Sequence, residues 1–149
     1  MHTTLPTATL GRTGLKVTRL GFGCALWKPD MPHWTPEQAQ TVWDAALDAG
    51  INFFDTAYDY VFSEEWIGWA LHSRYDDFYL ATKCGCNDTQ PTSNTSDHEW
   101  TRDNLVRNME ISLRRLNRDS MDIIQLHNAT VAECEAGSLV QALSDIRDQ

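Results

Sequence analysis

Three ionisable side chains of three different kinds each stand where a short apolar run stops. Ile51-Asn52-Phe53-Phe54 ends at Asp55, Phe78-Tyr79-Leu80-Ala81-Thr82 ends at Lys83, and Met121-Asp122-Ile123-Ile124-Gln125-Leu126 ends at His127. Runs of this length, bounded by turn residues, read as buried parallel strands. An acid, a base and an imidazole at the C-terminal ends of successive strands is the layout of a barrel active site. Neighbouring parallel strands lie about 4.8 Å apart, so the three ends are close together if the strands pair in chain order. Tyr60, in the loop after Asp55, can fold back over them. A phenol exchanges protons poorly at neutral pH, and a nearby lysine cation favours its phenolate. Asp55 would hold Lys83 charged, and His127 could donate a hydrogen bond to a carbonyl oxygen. Such a group is a proton donor with an oxyanion site, suited to carbonyl reduction. No side chain supplies a hydride, so the chemistry calls for a nicotinamide cofactor. Taken singly, Asp55 reads as a turn former, Lys83 or His127 as a surface residue and Tyr60 as packing. Their coincidence at consecutive strand ends carries the reading.

The elements that must position these residues follow in order. Thr9 to Val17 holds two short runs around a Gly-containing turn, a hairpin pattern. Arg19-Leu20-Gly21-Phe22-Gly23 reads as the first strand, with glycines that permit close approach of a backbone or a ligand. Thr35-Pro36-Glu37-Gln38 predicts a capped helix start, and Ala39, Val42, Trp43, Ala46 and Leu47 give it an apolar stripe that stops at Gly50. Ser63-Glu64-Glu65 predicts the cap and acidic first turn of a second helix. Gly85 to Asp97 reads as a long polar loop at the rim of the site or as a plain connector. Ser96-Asp97-His98-Glu99 suggests a capping box for a third helix with a stripe of Leu105, Val106, Met109, Leu113 and Leu116. Arg114, Arg115 and Arg118 read as its solvated basic end. A fourth helix starts at Ser138, with Leu139, Leu143 and Ile146 on one side. Alternating strands and helices mean α/β: a (β/α) TIM-barrel type, with four parallel strands in the order 1-2-3-4, four helices and an N-terminal β-hairpin. Phe53, Tyr79 and Ile123 fall on the inward face by alternation.

One domain over residues 1–149 is expected from length, and 42% hydrophobic content with six Trp and five Phe is enough for a core. A net charge of −9 argues against nucleic acid or an anionic membrane surface as partner. No apolar run approaches the roughly 18 residues of a spanning helix, and the N-terminus lacks the pattern of a signal peptide, so a cytoplasmic location is expected. Cys24, Cys84, Cys86 and Cys134 are then free thiols. Cys84-Gly85-Cys86 lacks the two-residue gap of a zinc or redox pair, and no metal site is expected.

The chain resembles the aldo-keto reductases. The resemblance runs through Leu10-Gly11-Arg12-Thr13-Gly14-Leu15-Lys16-Val17, Leu20-Gly21-Phe22-Gly23, Gly50 to Ala57, Ser63-Glu64-Glu65-x-Ile67-Gly68-x-Ala70-Leu71, Ala81 to Gly85, Ser112 to Leu116 and Asp122-x-x-Gln125-Leu126-His127. It implies an eight-stranded barrel of which this chain is the N-terminal half. It also implies NAD(P)H-dependent interconversion of aldehydes or ketones and alcohols, with NADP(H) expected over NAD(H). Asp55, Tyr60, Lys83 and His127 then form the catalytic tetrad, and Gly23, Cys24 and Asp55 border the cofactor. Three departures stand out. Val61 replaces the glycine that usually follows the tyrosine, Asn128-Ala129-Thr130 replaces the usual residues after the histidine, and strands five to eight, with most cofactor contacts, are absent. The 149 residues alone are accordingly expected to be inactive and to self-associate through open sheet edges. The alternatives are a non-catalytic binding or regulatory module on the same scaffold, or a half-barrel that assembles with another chain.

Overall fold

The computed structural model describes residues 4–25, 34–87 and 97–148. The polar loop read between Gly85 and Asp97 falls largely on residues 88–96, outside those described. The expected hairpin forms from β1 (Thr7–Thr9) and β2 (Lys16–Thr18), antiparallel, with Ala8 opposite Val17. It is tied to the rest of the chain by Asn52. The Asn52 side chain accepts from Thr18 N (2.6 Å) and donates to Lys16 O (2.9 Å), while Asn52 N donates to Thr18 Oγ1 (3.1 Å).

β3 (Phe22–Gly23), β4 (Phe53–Asp55), β5 (Tyr79–Cys84) and β6 (Ile123–Leu126) form one parallel sheet in the order β3-β4-β5-β6. The order is the one expected, and the sheet with its covering helices is a partial (β/α) barrel. Among the described residues the outer strands β3 and β6 each pair with a single neighbour, which leaves two edges open. Strand alternation sends Phe54, Leu80, Thr82 and Cys84 to one face, where all are buried. Phe53, Tyr79 and Ile123 lie on the other face and remain half-buried.

α1 (Pro36–Asp48) begins with the expected capping box, Thr35 and Gln38 exchanging bonds, and buries Ala39, Trp43, Ala46 and Leu47. Together with Phe54, Leu80, Ile67, Leu71 and Leu116 these residues make the larger core cluster. Each large side chain removed from water there contributes roughly 1.5–3 kcal/mol. α2 (Ser63–Ala70) and a 3₁₀ segment (His72–Asp77) lead to β5. α3 (Arg102–Leu116) covers the sheet beside α2, and Gly68 is where the two helices meet. A Cβ there would collide with Arg115 O. α4 (Val131–Glu135) and α5 (Ser138–Arg147) close the described chain, and α5 packs Leu139 and Ala142 against Cys84 and Leu105. No helix among the described residues is long and apolar enough to cross a membrane.

Four local expectations need correction. Ser63 is not a cap: it is the first residue of α2, and its hydroxyl is shared with Thr56 Oγ1 at 2.9 Å. α3 starts at Arg102 under Thr101, whose hydroxyl accepts from Asn104 N, and not at Ser96. The His98 backbone is used instead in an antiparallel bridge to Cys86. The basic end of α3 is not simply solvated, because Arg115 pairs with the buried Glu64 (3.2 Å) and Arg118 with Asp122 (2.9 Å). α4 is an additional helical turn with its own capping box, Thr130 with Glu133, so among the described residues the expected four helices become five. Short helices lack the length for a visible apolar stripe, which is why α4 is invisible to periodicity.

Candidate active site

The strand ends place the ionisable residues as their spacing predicts. Asp55 is the last residue of β4, Lys83 the penultimate residue of β5, and His127 follows the last residue of β6. Register puts Lys83 beside Gln125 and Asp55 beside Ala81. Asp55, Lys83 and Gln125 consequently share the inward face, where side chains two apart along a strand project together.

Lys83 Nζ donates to Asp55 Oδ2 at 2.6 Å and to Thr56 O at 2.8 Å. The other oxygen of Asp55 accepts from Gln125 Nε2 at 2.9 Å. Each partner of the ion pair is thus fixed by a second bond, and the lysine side chain is only 14% exposed. Lys83 Nζ also lies 4.8 Å from the centre of the Tyr60 ring. The Tyr60 ring meets the His127 ring edge-on, with centres 5.7 Å apart. All four residues picked out from the sequence are therefore gathered at one end of the sheet.

The loop that carries Tyr60 is pinned from several sides. Thr56 N donates to Ala81 O (2.8 Å), Tyr60 N to Ala57 O (3.1 Å) and Ser63 N to Tyr60 O (2.8 Å). Arg115 reaches across from α3 and donates to Tyr58 O at 2.8 Å, with its guanidinium 4.7 Å from the centre of the Tyr58 ring. The same arginine pairs with Glu64, which also accepts from Thr82 Oγ1 at 2.6 Å. Burial pushes the Glu64 carboxyl above its ordinary range, against the hydrogen bonds from Thr82 and Ser112 and the charge of Arg115. Val61 takes φ +48°, the left-handed region, which a β-branched side chain tolerates poorly. The substitution of valine for glycine noted in the sequence thus leaves a strained residue directly after Tyr60.

His127 has partners that the sequence did not identify. Its Nδ1 lies 3.1 Å from Asp59 Oδ1 and 3.2 Å from Cys86 Sγ, and its backbone N donates to Cys84 O at 3.0 Å. Asp59 and Cys86 are both buried and come from loops, where no periodicity marks an inward residue. For Gln125 a signal did exist: it stands two residues after the inward-facing Ile123 on a strand and so shares its face.

The residues expected at a cofactor divide. Gly23 is exposed and a Cβ there would meet nothing within 4 Å, so space is open beside the end of β3. Cys24 N donates to Asp55 O at 2.8 Å, but its side chain is fully buried in the larger core cluster. Burial, and secondarily the Asp55 charge, pushes its thiol far up, so Cys24 is a neutral core thiol and only its main chain can face a ligand. Cys84 is likewise pushed up, to about 12, by burial.

Comparison with known proteins finds relatives among the oxidoreductases. The chain is 30% identical to an uncharacterised oxidoreductase, YqkF, of Bacillus subtilis (strain 168), over 94% of its own length and 44% of that protein's. It is 32% identical to L-galactose dehydrogenase of Arabidopsis thaliana, over 91% of its length and 40% of the relative's. The structure of the holo form of the aldo-keto reductase AKR11C1 from Bacillus halodurans superposes with a TM-score of 0.80 at 28% identity, covering 97% of this chain and 47% of that one. The chain thus spans less than half the length of these proteins. The sequence model of the Aldo/keto reductase family matches residues 19–143, a stretch that runs from the first parallel strand into α5, and the chain belongs to that family.

Proposed function

We propose that this protein is an oxidoreductase that interconverts aldehydes or ketones and alcohols with NAD(P)H. The observation that carries the reading is the Asp55–Lys83 pair at 2.6 Å, held against Tyr60 and beside His127. The residues fit a nicotinamide. Proton-transfer groups are assembled, no side chain among them can give a hydride, and the space beside Gly23 is open at the end of the neighbouring strand. A bound nicotinamide would supply the hydride to the carbonyl carbon. Gly23, the Cys24 main chain and Asp55 would border it, with NADP(H) expected over NAD(H) on family resemblance.

The chain's own residues do the rest. Tyr60 gives its phenolic proton to the carbonyl oxygen in reduction and takes it back in oxidation. The Lys83 cation stabilises the negative charge left on Tyr60, and Asp55, itself held by Gln125, keeps Lys83 in place. His127 donates from Nε2 to the same carbonyl oxygen. Its Nδ1 is engaged by the Cys86 thiol or, in the imidazolium, by the Asp59 carboxylate, and either arrangement leaves a hydrogen on Nε2.

The test is steady-state reduction of a reactive aldehyde by the protein with a closed barrel, with NADPH and NADH titrated alongside. Tyr60→Phe should lower turnover by roughly 10²–10⁴-fold, the usual worth of a positioned acid, and leave cofactor affinity nearly unchanged. Undiminished turnover in the variant would refute the assignment. Residues 1–149 alone, with the open edges of β3 and β6, are expected to show no turnover and to associate.

A further inference from the structure

Beside the proposed catalytic group lies a second cluster with a different chemistry. Cys86, His98 and His127 each offer one ligand atom, and these atoms lie within 4.8 Å of one another. Cys86 is fully buried and His127 nearly so. The two imidazoles meet edge-on with centres 5.6 Å apart, and the His98 ring is stacked on Trp100 at 5.3 Å. The backbone holds the ligands in register. Cys86 and His98 form a bridge, Asn87 N donates to Asp97 O (2.7 Å) and Glu99 N to Gly85 O (2.9 Å). Asn104, buried on α3, clamps both strands of this bridge by donating to Cys86 O (3.2 Å) and Glu99 O (2.9 Å). Asn108 accepts from Gly85 N at 2.8 Å. Two of the three buried polar residues of α3, Asn104 and Asn108, are thereby explained: they fix the segment that carries the thiol.

A thiol–imidazole contact accounts for Cys86 and His127, which are 3.2 Å apart. It does not account for His98. The Nε2 atom of His98 is buried with no hydrogen-bond partner, and an orphaned buried polar atom costs about 1–3 kcal/mol. A metal ion satisfies it. One thiolate and two imidazoles are a borderline-to-soft set that suits Zn(II), and three protein ligands leave a fourth position open. Asp59, 3.1 Å from His127 Nδ1, places a carboxylate beside the cation. We propose that Cys86, His98 and His127 form a binding site for a zinc-class divalent ion.

Binding replaces the Cys86 S–H bond with an S–metal bond and releases the thiol proton to solvent, with no change of oxidation state. The spacing of Cys84 and Cys86 gave no sign of the site because its ligands come from the segment after β5, its bridge partner and the end of β6.

The experiment titrates the tag-free, metal-free protein with Co(II) under anaerobic conditions and reads the thiolate-to-cobalt charge-transfer band. A single equivalent should develop the band, and added Zn(II) should displace it. Cys86→Ser should abolish the band. His98→Ala, at a position that is not fully buried, keeps the thiol and should weaken Co(II) binding by more than the roughly 10- to 100-fold that loss of an outer-shell partner costs. Cys134→Ser, which removes the more accessible thiol, should leave the titration unchanged. No band at saturating Co(II), a band that survives Cys86→Ser, or one lost in Cys134→Ser would overturn the proposal. The readout needs no turnover, so a failed titration would leave the reductase reading standing, although the two share His127.

Discussion

Arg115→Ala should destabilise the protein far more than loss of a surface ion pair does. Glu64 is 1% exposed and its pairing cation is Arg115, itself 18% exposed. Exposed pairs contribute about 0–1 kcal/mol, whereas removing one partner of a buried pair leaves an uncompensated charge and costs about 3–5 kcal/mol. The arginine also donates to Tyr58 O in the loop that carries Tyr60, so the same substitution removes a hydrogen bond from that loop. Against a total margin of about 5–15 kcal/mol, a loss of that size is readily measured. The assay is urea unfolding followed by tryptophan fluorescence at one fixed protein concentration, at pH 8 and again at pH 5. The loss should be larger at pH 8, because at pH 5 the stranded carboxyl is more readily neutralised by a proton. In a Glu64→Gln background, which removes the charge and keeps an acceptor for Thr82 Oγ1, most of the loss should vanish. A loss below about 1 kcal/mol at pH 8, within the range of exposed pairs, or one that persists undiminished in the Glu64→Gln background, would refute the reasoning.

Gly68→Ala should cost about 1–3 kcal/mol, the range of overpacking, since its Cβ would meet backbone atoms of Arg115 and Leu116 that cannot swing aside; an unfolding midpoint unchanged from wild type would contradict this. Val61→Gly should stabilise by about 1 kcal/mol, because relief of a left-handed β-branched residue exceeds the chain entropy that glycine adds. A lower midpoint in urea would count against it. The raised carboxyl of Glu64 also sets a pH dependence. Its contribution is fully present below the ordinary glutamate range and is lost as pH rises through its value in the folded protein, so Glu64→Gln should flatten the decline in stability on that alkaline side.

Most of the sheet was legible because its signals are local. An apolar run that stops at a charge reports a buried strand and the residue at its end, and β4, β5 and β6 finish within a residue of Asp55, Lys83 and His127. Apart from α4, the misreadings share a physical cause, which is that a polar residue takes a partner other than its commonest local one. Ser63 read as a cap, but its hydroxyl is taken by Thr56, seven residues back. Glu64 read as a helix-start acid, and Arg115 as a solvated helix end. The two in fact pair with each other across 51 positions, and that pair supports the Tyr60 loop. Asn104 and Asn108 interrupt the apolar stripe of α3, and they bond to Cys86 and Gly85 near the end of β5. Periodicity records which face a side chain takes. It does not record which distant polar group the packed sheet will set opposite it, since that depends on strand register. The pairing of Lys83 with Gln125 along β5 and β6 is such a case. It brings the Gln125 amide to Asp55, 70 positions away, and so completes the hold on the carboxylate that fixes Lys83.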